Sequence, residues 1–110
     1  MKFALVVLHP PDQMESQRRT LGFGRALVTN GHELTRVFFY GDGTRIGEPA
    51  ASEARDLWLG LSETSATELA ICSASAERNG IIKAPDSFVL AGLGALMESG
   101  FDCERVVTCV

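Results

Sequence analysis

The opening residues do most to narrow the fold. Phe3 to Leu8 is an unbroken apolar run, the pattern of a strand buried on both faces. His9-Pro10-Pro11-Asp12 stops it, because proline cannot donate to a sheet ladder. A strand covered on both faces needs helices above and below it, so the run points to a parallel sheet inside an α/β fold.

The rest of the chain alternates accordingly. A helix is expected from about Ser16 to Asn30, capped by Ser16 or Asp12. Leu21, Phe23, Ala26, Leu27 and Val28 form its apolar face, and Gly31 stands at the C′ position. Gly22 and Gly24 weaken this helix, which suggests close packing against the sheet. A second strand runs from about Glu33 to Tyr40. Gly41-Asp42-Gly43 breaks it, and a polar loop continues through Gly47. A helix from about Pro49 to Leu61 carries Ala54, Leu57, Trp58 and Leu61 on one side. Glu68 to Ile71 forms a third strand that runs into Cys72. A short helix follows, ending near Asn79-Gly80, and then the apolar pair Ile81-Ile82. Pro85 and Asp86 introduce a last helix from about Ser87 to Ser99, with Val89, Leu90, Leu93, Leu96 and Met97 at helical spacing and Gly100 closing it. Arg105 to Val110 makes the final strand.

This order predicts one domain over residues 1–110. The fold is a three-layer α/β/α sandwich with a mainly parallel sheet of four to five strands, flavodoxin- or Rossmann-like, with right-handed crossovers. In such folds reactive groups gather beyond the carboxyl ends of the strands. Three segments meet there: His9 to Asp12, Gly41 to Gly47, and the one that begins at Cys72.

Several function classes drop out. With 14 acidic and 10 basic side chains the net charge is −4, and no Lys/Arg cluster supplies a footprint for direct nucleic-acid binding. No apolar run approaches the ~20 residues of a membrane span. The opening stretch is too short for a signal peptide, so a cytoplasmic protein is expected. Gly22-Phe23-Gly24 and Gly92-Leu93-Gly94 each match only half of a dinucleotide fingerprint and lie in predicted helices. No cofactor is expected. Three cysteines without CxxC spacing fit neither a disulfide framework nor a metal site.

The remaining chemistry is that of the thiols. Cys103 follows Gly100 in a turn and reads as incidental. Cys109 lies in the last strand, where a buried thiol acts as a small hydrophobe. Cys72 alone sits at a strand end and a helix start, where unpaired N–H groups and the helix dipole favour a thiolate. The competing reading of Cys72 is a buried structural cysteine. Ser73 opens the helix beside it. Arg78 either helps hold an anionic sulfur species or is a solvated helix residue. His9 is either a general base or thiol partner or a plain loop histidine.

The opening MKFALVV, GHELTRVFFYGDG (31–43), LAICSASAERNGI (69–81), FVLAGLGALMESG (88–100) and CERVV (103–107) together resemble the DsrE/TusD family of small sulfur-relay proteins, its TusD branch above all. The resemblance implies a sulfurtransferase in which Cys72 carries a persulfide between an upstream and a downstream carrier protein. It also implies a heterohexamer with related DsrF/TusC-like and DsrH/TusB-like subunits, or a homo-oligomer. The relay would end in 2-thiolation of the tRNA wobble uridine or in dissimilatory sulfur oxidation. Rival classes are a non-catalytic assembly subunit and a flavodoxin-like ligand-binding module.

Overall fold

Five parallel strands form the spine of the computed structural model, which describes residues 1–110. They are β1 (Lys2–Val7), β2 (Glu33–Phe39), β3 (Glu68–Cys72), β4 (Phe88–Ala91) and β5 (Arg105–Cys109), in the spatial order β4-β3-β2-β1-β5. The helices are α1 (Met14–Thr29), α2 (Ser52–Ser65), α3 (Ser73–Arg78) and α4 (Leu93–Asp102). The expected α/β architecture with a parallel sheet holds, and β1 is apolar and interior, paired with β2 on one side and β5 on the other. No helix is long and apolar enough to cross a membrane.

Side chains of alternate strand residues divide the core in two. Leu5, Val7, Val37, Phe39, Leu69 and Ile71 join Leu21, Leu27, Trp58 and Leu61 of α1 and α2 in a cluster of 16 buried residues. Trp58 packs edge-on to Phe39 at 5.3 Å, and Phe88 of β4 lies 5.8 Å from the same ring. Burying side chains of this size contributes about 1.5–3 kcal/mol each, so this face supplies most of the fold's stability. The second face holds a buried cluster of only three residues, Phe38, Ala70 and Cys72, against which Tyr40, Ala91, Ala95 and Leu96 pack.

Glycines explain two close approaches. A Cβ on Gly24 would meet Leu61 at 3.2 Å, which is the close helix packing expected there, while Gly22 has open space around it. Gly43 is tighter: a Cβ would stand 2.1 Å from the Val7 carbonyl oxygen. The chain after β2 can therefore cross the end of β1 only with glycine at this position.

The structure corrects four boundaries. Residues Ser87 to Ser99 are not one helix: Phe88–Ala91 is an edge strand paired with Leu69–Cys72, and α4 begins only after Gly92. Ser87 takes a left-handed turn at φ 71° just before the strand, and Phe88 is buried against the main core. Nonlocal pairing thus overrides a local helical pattern. The Gly41–Gly47 segment is a 3-10 helix that buries Ile46 and Thr44, not an open polar loop. α2 is preceded by a 3-10 turn at Pro49–Ala51 and runs to Ser65, where Ala66 ends it in the left-handed region. α1 begins at Met14 without a side-chain cap, and Ser16 instead accepts a bond from Arg19 at 3.2 Å.

Candidate functional site

β3 delivers Cys72 to the carboxyl edge of the sheet. Its own backbone is extended (φ −60°, ψ 117°), and Ser73 begins α3 immediately after it. The cysteine is the N-cap residue of α3, but its sulfur makes no capping hydrogen bond. α3 has six residues, under two turns, so the helix-end field available to the thiol comes from its first few N–H groups alone. Ala70 and Cys72 face away from the main core and toward α4. Cys72 is only 1% exposed.

The segments that follow β2 and β3 are tied to each other beside it. Asn79, at the end of α3, donates through Nδ2 to Thr44 Oγ1 at 2.9 Å and to the Gly41 carbonyl at 3.3 Å. Thr44 in turn donates to the Gly41 carbonyl at 2.7 Å. These bonds lock the 3-10 segment after β2 to the helix after Cys72 and fix the position of the cysteine's turn. Gly80 takes φ 77° to let the chain leave α3. Asn79 and Thr44 escaped the sequence reading, since an Asn-Gly pair signals only a turn and Thr44 lies 35 residues away.

The other candidates lie elsewhere. Ser73 is exposed on the first turn of α3. Arg78, also exposed, donates to Ser75 Oγ at 3.2 Å within its own helix. His9 is buried beyond β1, with β2 intervening between β1 and β3. Its Nε2 lies 2.9 Å from Thr20 Oγ1, and its Nδ1 accepts from Gln17 Nε2 at 3.1 Å. Gln17 Nε2 also reaches the Pro10 carbonyl at 3.2 Å, and its Oε1 accepts from Trp58 Nε1 at 2.7 Å. Burial holds the His9 imidazole below its ordinary pKa; the nearby Arg19 charge acts in the same direction, and a backbone bond at Pro10 opposes both. The result is a satisfied polar seam between α1, α2 and the end of β1.

Geometry also sorts the remaining thiols. Cys109 ends β5 beside Leu8, whose N–H donates to the Cys109 carbonyl at 2.9 Å. Burial raises its pKa, with a Thr20 hydrogen bond opposing that rise, so it stays a neutral thiol at neutral pH. Cys103 precedes β5 at the opposite, amino-terminal edge of the sheet, its sulfur 3.2 Å from Thr35 Oγ1. Only Cys72 lies where the loops after β2 and β3 converge. A cavity of about 270 Å³ opens between the Pro11 loop and α2, lined by Asp12, Arg45, Glu48 and Glu53 among others; Cys72 is not in its wall.

Known proteins share both sequence and architecture with this chain. The profile of the DsrE/DsrF-like family matches residues 1–109. Sulfurtransferase TusD of Enterobacter sp. (strain 638) is 34% identical over 126 aligned positions, spanning 97% of this chain and 98% of that protein. The crystal structure of the ychN protein from E. coli superposes with a TM-score of 0.75 at 17% identity, covering 98% of both chains. A protein of unknown function from Methanobacterium thermoautotrophicum gives 0.74 at 11% identity, over 96% of this chain and 97% of that one. At such identities the two structures speak for the fold alone.

Proposed function

The chain belongs to the DsrE/DsrF-like family, and from that premise we propose that it is a sulfurtransferase whose Cys72 carries a persulfide in a sulfur relay. The observation that carries the reading is the placement of Cys72: of three thiols it alone stands at a strand end and helix start on the carboxyl edge. The nearly full-length likeness to a protein named sulfurtransferase TusD supports it.

The transfer needs no oxidant. The Cys72 thiolate attacks the terminal sulfur of a donor persulfide. The donor's S–S bond breaks, its electron pair leaves with the donor thiolate, and a new S–S bond forms on Cys72. A downstream carrier thiolate then attacks the outer sulfur, and Cys72 departs as the thiolate. In this reading the donor and acceptor are carrier proteins, the setting is cytoplasmic, and the sulfur ends in 2-thiolation of the tRNA wobble uridine. The alternative destination is dissimilatory sulfur oxidation. DsrF/TusC-like and DsrH/TusB-like sister subunits, or further copies of this chain, complete the assembly. The exposed apolar side chains Val89, Leu90, Leu93, Met97 and Phe101 support such a contact face. In this reading Ser73 and Arg78, both exposed on α3, are the supporting polar groups for the sulfur.

Intact mass after treatment with a low-molecular-weight persulfide tests the reading. A one-sulfur gain is expected in the native protein and is lost in Cys72→Ser; a gain that survives this substitution contradicts it. The burial of Cys72 favours one second reading, a non-catalytic subunit with a structural cysteine. That reading predicts equal sulfur loading in both proteins.

A further inference from the structure

Cys72 cannot exchange sulfur while it is 1% exposed, so something above it must move. The helix over it is α4, whose Ala95 and Leu96 pack, beside Tyr40 and Ala91, on the cluster that contains Cys72. α4 is lightly attached. Its one fully buried side chain is Ser99, and Leu93, Met97 and Phe101 point to solvent.

The polar attachment of α4 to the sheet is a single residue, Arg36 of β2. Its Nη1 donates to the Ala95 carbonyl at 2.6 Å and to Ser99 Oγ at 2.8 Å, while its Nε donates to Glu68 Oε1 at 2.6 Å. Glu68 opens β3, the strand that ends in Cys72. The ladder between β1 and β2 shifts register between Phe3 and Ala4, which pair with Leu34 and Arg36 and leave Thr35 as the extra residue. This bulge sends Leu34 into the main core and Arg36 to the α4 side. The Arg36 side chain is partly buried and bridges β2, β3 and α4 through charge-assisted bonds.

We propose that α4 is a lid over the Cys72 thiol and that Arg36 is the positioning residue that holds it shut. The proposal rests on the relay reading for its purpose, since a persulfide kept under a lid is shielded from stray thiols until a partner lifts α4. Its physical content is a local opening equilibrium set by Arg36, separate from global unfolding.

The test uses the full chain with Cys103 and Cys109 replaced by serine, so that Cys72 is the sole thiol, and follows its alkylation by iodoacetamide under native conditions. Arg36→Gln is expected to speed alkylation at least about tenfold, and Ser99→Ala, which removes one of the two bonds to α4, by about three- to tenfold. Amide exchange in α4 should quicken in step while that of β1 stays unchanged. Unchanged alkylation in Ser99→Ala and in a folded Arg36→Gln overturns the lid, as does a rise matched by faster exchange in β1. No sulfur donor enters the assay. A failed lid therefore leaves the relay reading standing, and a Cys72 that never accepts sulfur leaves the lid result intact.

Discussion

The two faces of the sheet differ in depth. One carries a cluster of 16 buried residues under α1 and α2; the other carries a cluster of three, under α4 and Tyr40. The same strands build both, since Ile71 and Cys72 are neighbours that point opposite ways. The contrast separates two tasks. The deep face holds the fold, so the shallow face can open locally without unfolding the protein. A reactive thiol belongs on the second kind of surface, where exposure costs little.

The largest expected effect lies in the deep face. Trp58→Ala removes a fully buried ring and its bond to Gln17, and is expected to lower unfolding stability by about 3–5 kcal/mol in urea titration. A loss below about 1 kcal/mol would mean that the deep face is not the source of stability. Gly43→Ala comes next. Its Cβ would collide with rigid backbone at Val7, and overpacking of this kind costs about 1–3 kcal/mol, read as a lower thermal midpoint.

The polar seam at His9 gives the deep face a pH signature. Burial lowers the His9 pKa, so the folded state disfavours the imidazolium while the unfolded chain protonates near its ordinary value of about 6.5. Below that pH the unfolded state binds more protons, and stability falls until the lowered folded pKa is passed. Urea midpoints measured on either side of about pH 6.5 should show this decline, and His9→Gln should flatten it. A slope identical in both proteins would remove His9 from the seam's energetics.

The smallest effect belongs to the shallow side. Phe101 is 88% exposed, so Phe101→Ser should shift the stability of the isolated chain by no more than about 0.5 kcal/mol. A loss comparable to that of Trp58→Ala would erase the contrast between the faces.

What the sequence shows and hides follows the range of the interactions. β1, β2, β3 and β5 are legible because each is an apolar run bounded by Gly, Pro or polar residues. Cys72's strand-end, helix-start placement is legible for the same local reason. β4 is hidden, because Val89, Leu90, Leu93, Leu96 and Met97 keep helical spacing across Gly92. Only the ladder from Leu69 to Cys72 decides that Phe88–Ala91 is extended. The burial of Cys72 is hidden with it, since α4 can lie over the thiol only once residues 87–92 have left the expected helix. Likewise Arg36 meets Ser99 across 63 positions and Trp58 meets Gln17 across 41, distances at which no spacing rule operates.

Locating the transferred sulfur tests the central claim most directly. Trypsin cuts this chain so that each thiol falls on its own peptide: Cys72 in Asp56–Arg78, Cys103 in Ala84–Arg105 and Cys109 in Val106–Val110. After persulfide loading and alkylation of the native protein, the added sulfur should appear on Asp56–Arg78 and on neither of the others. Sulfur on either of the other two peptides, with Asp56–Arg78 unmodified, would contradict Cys72 as the carrier.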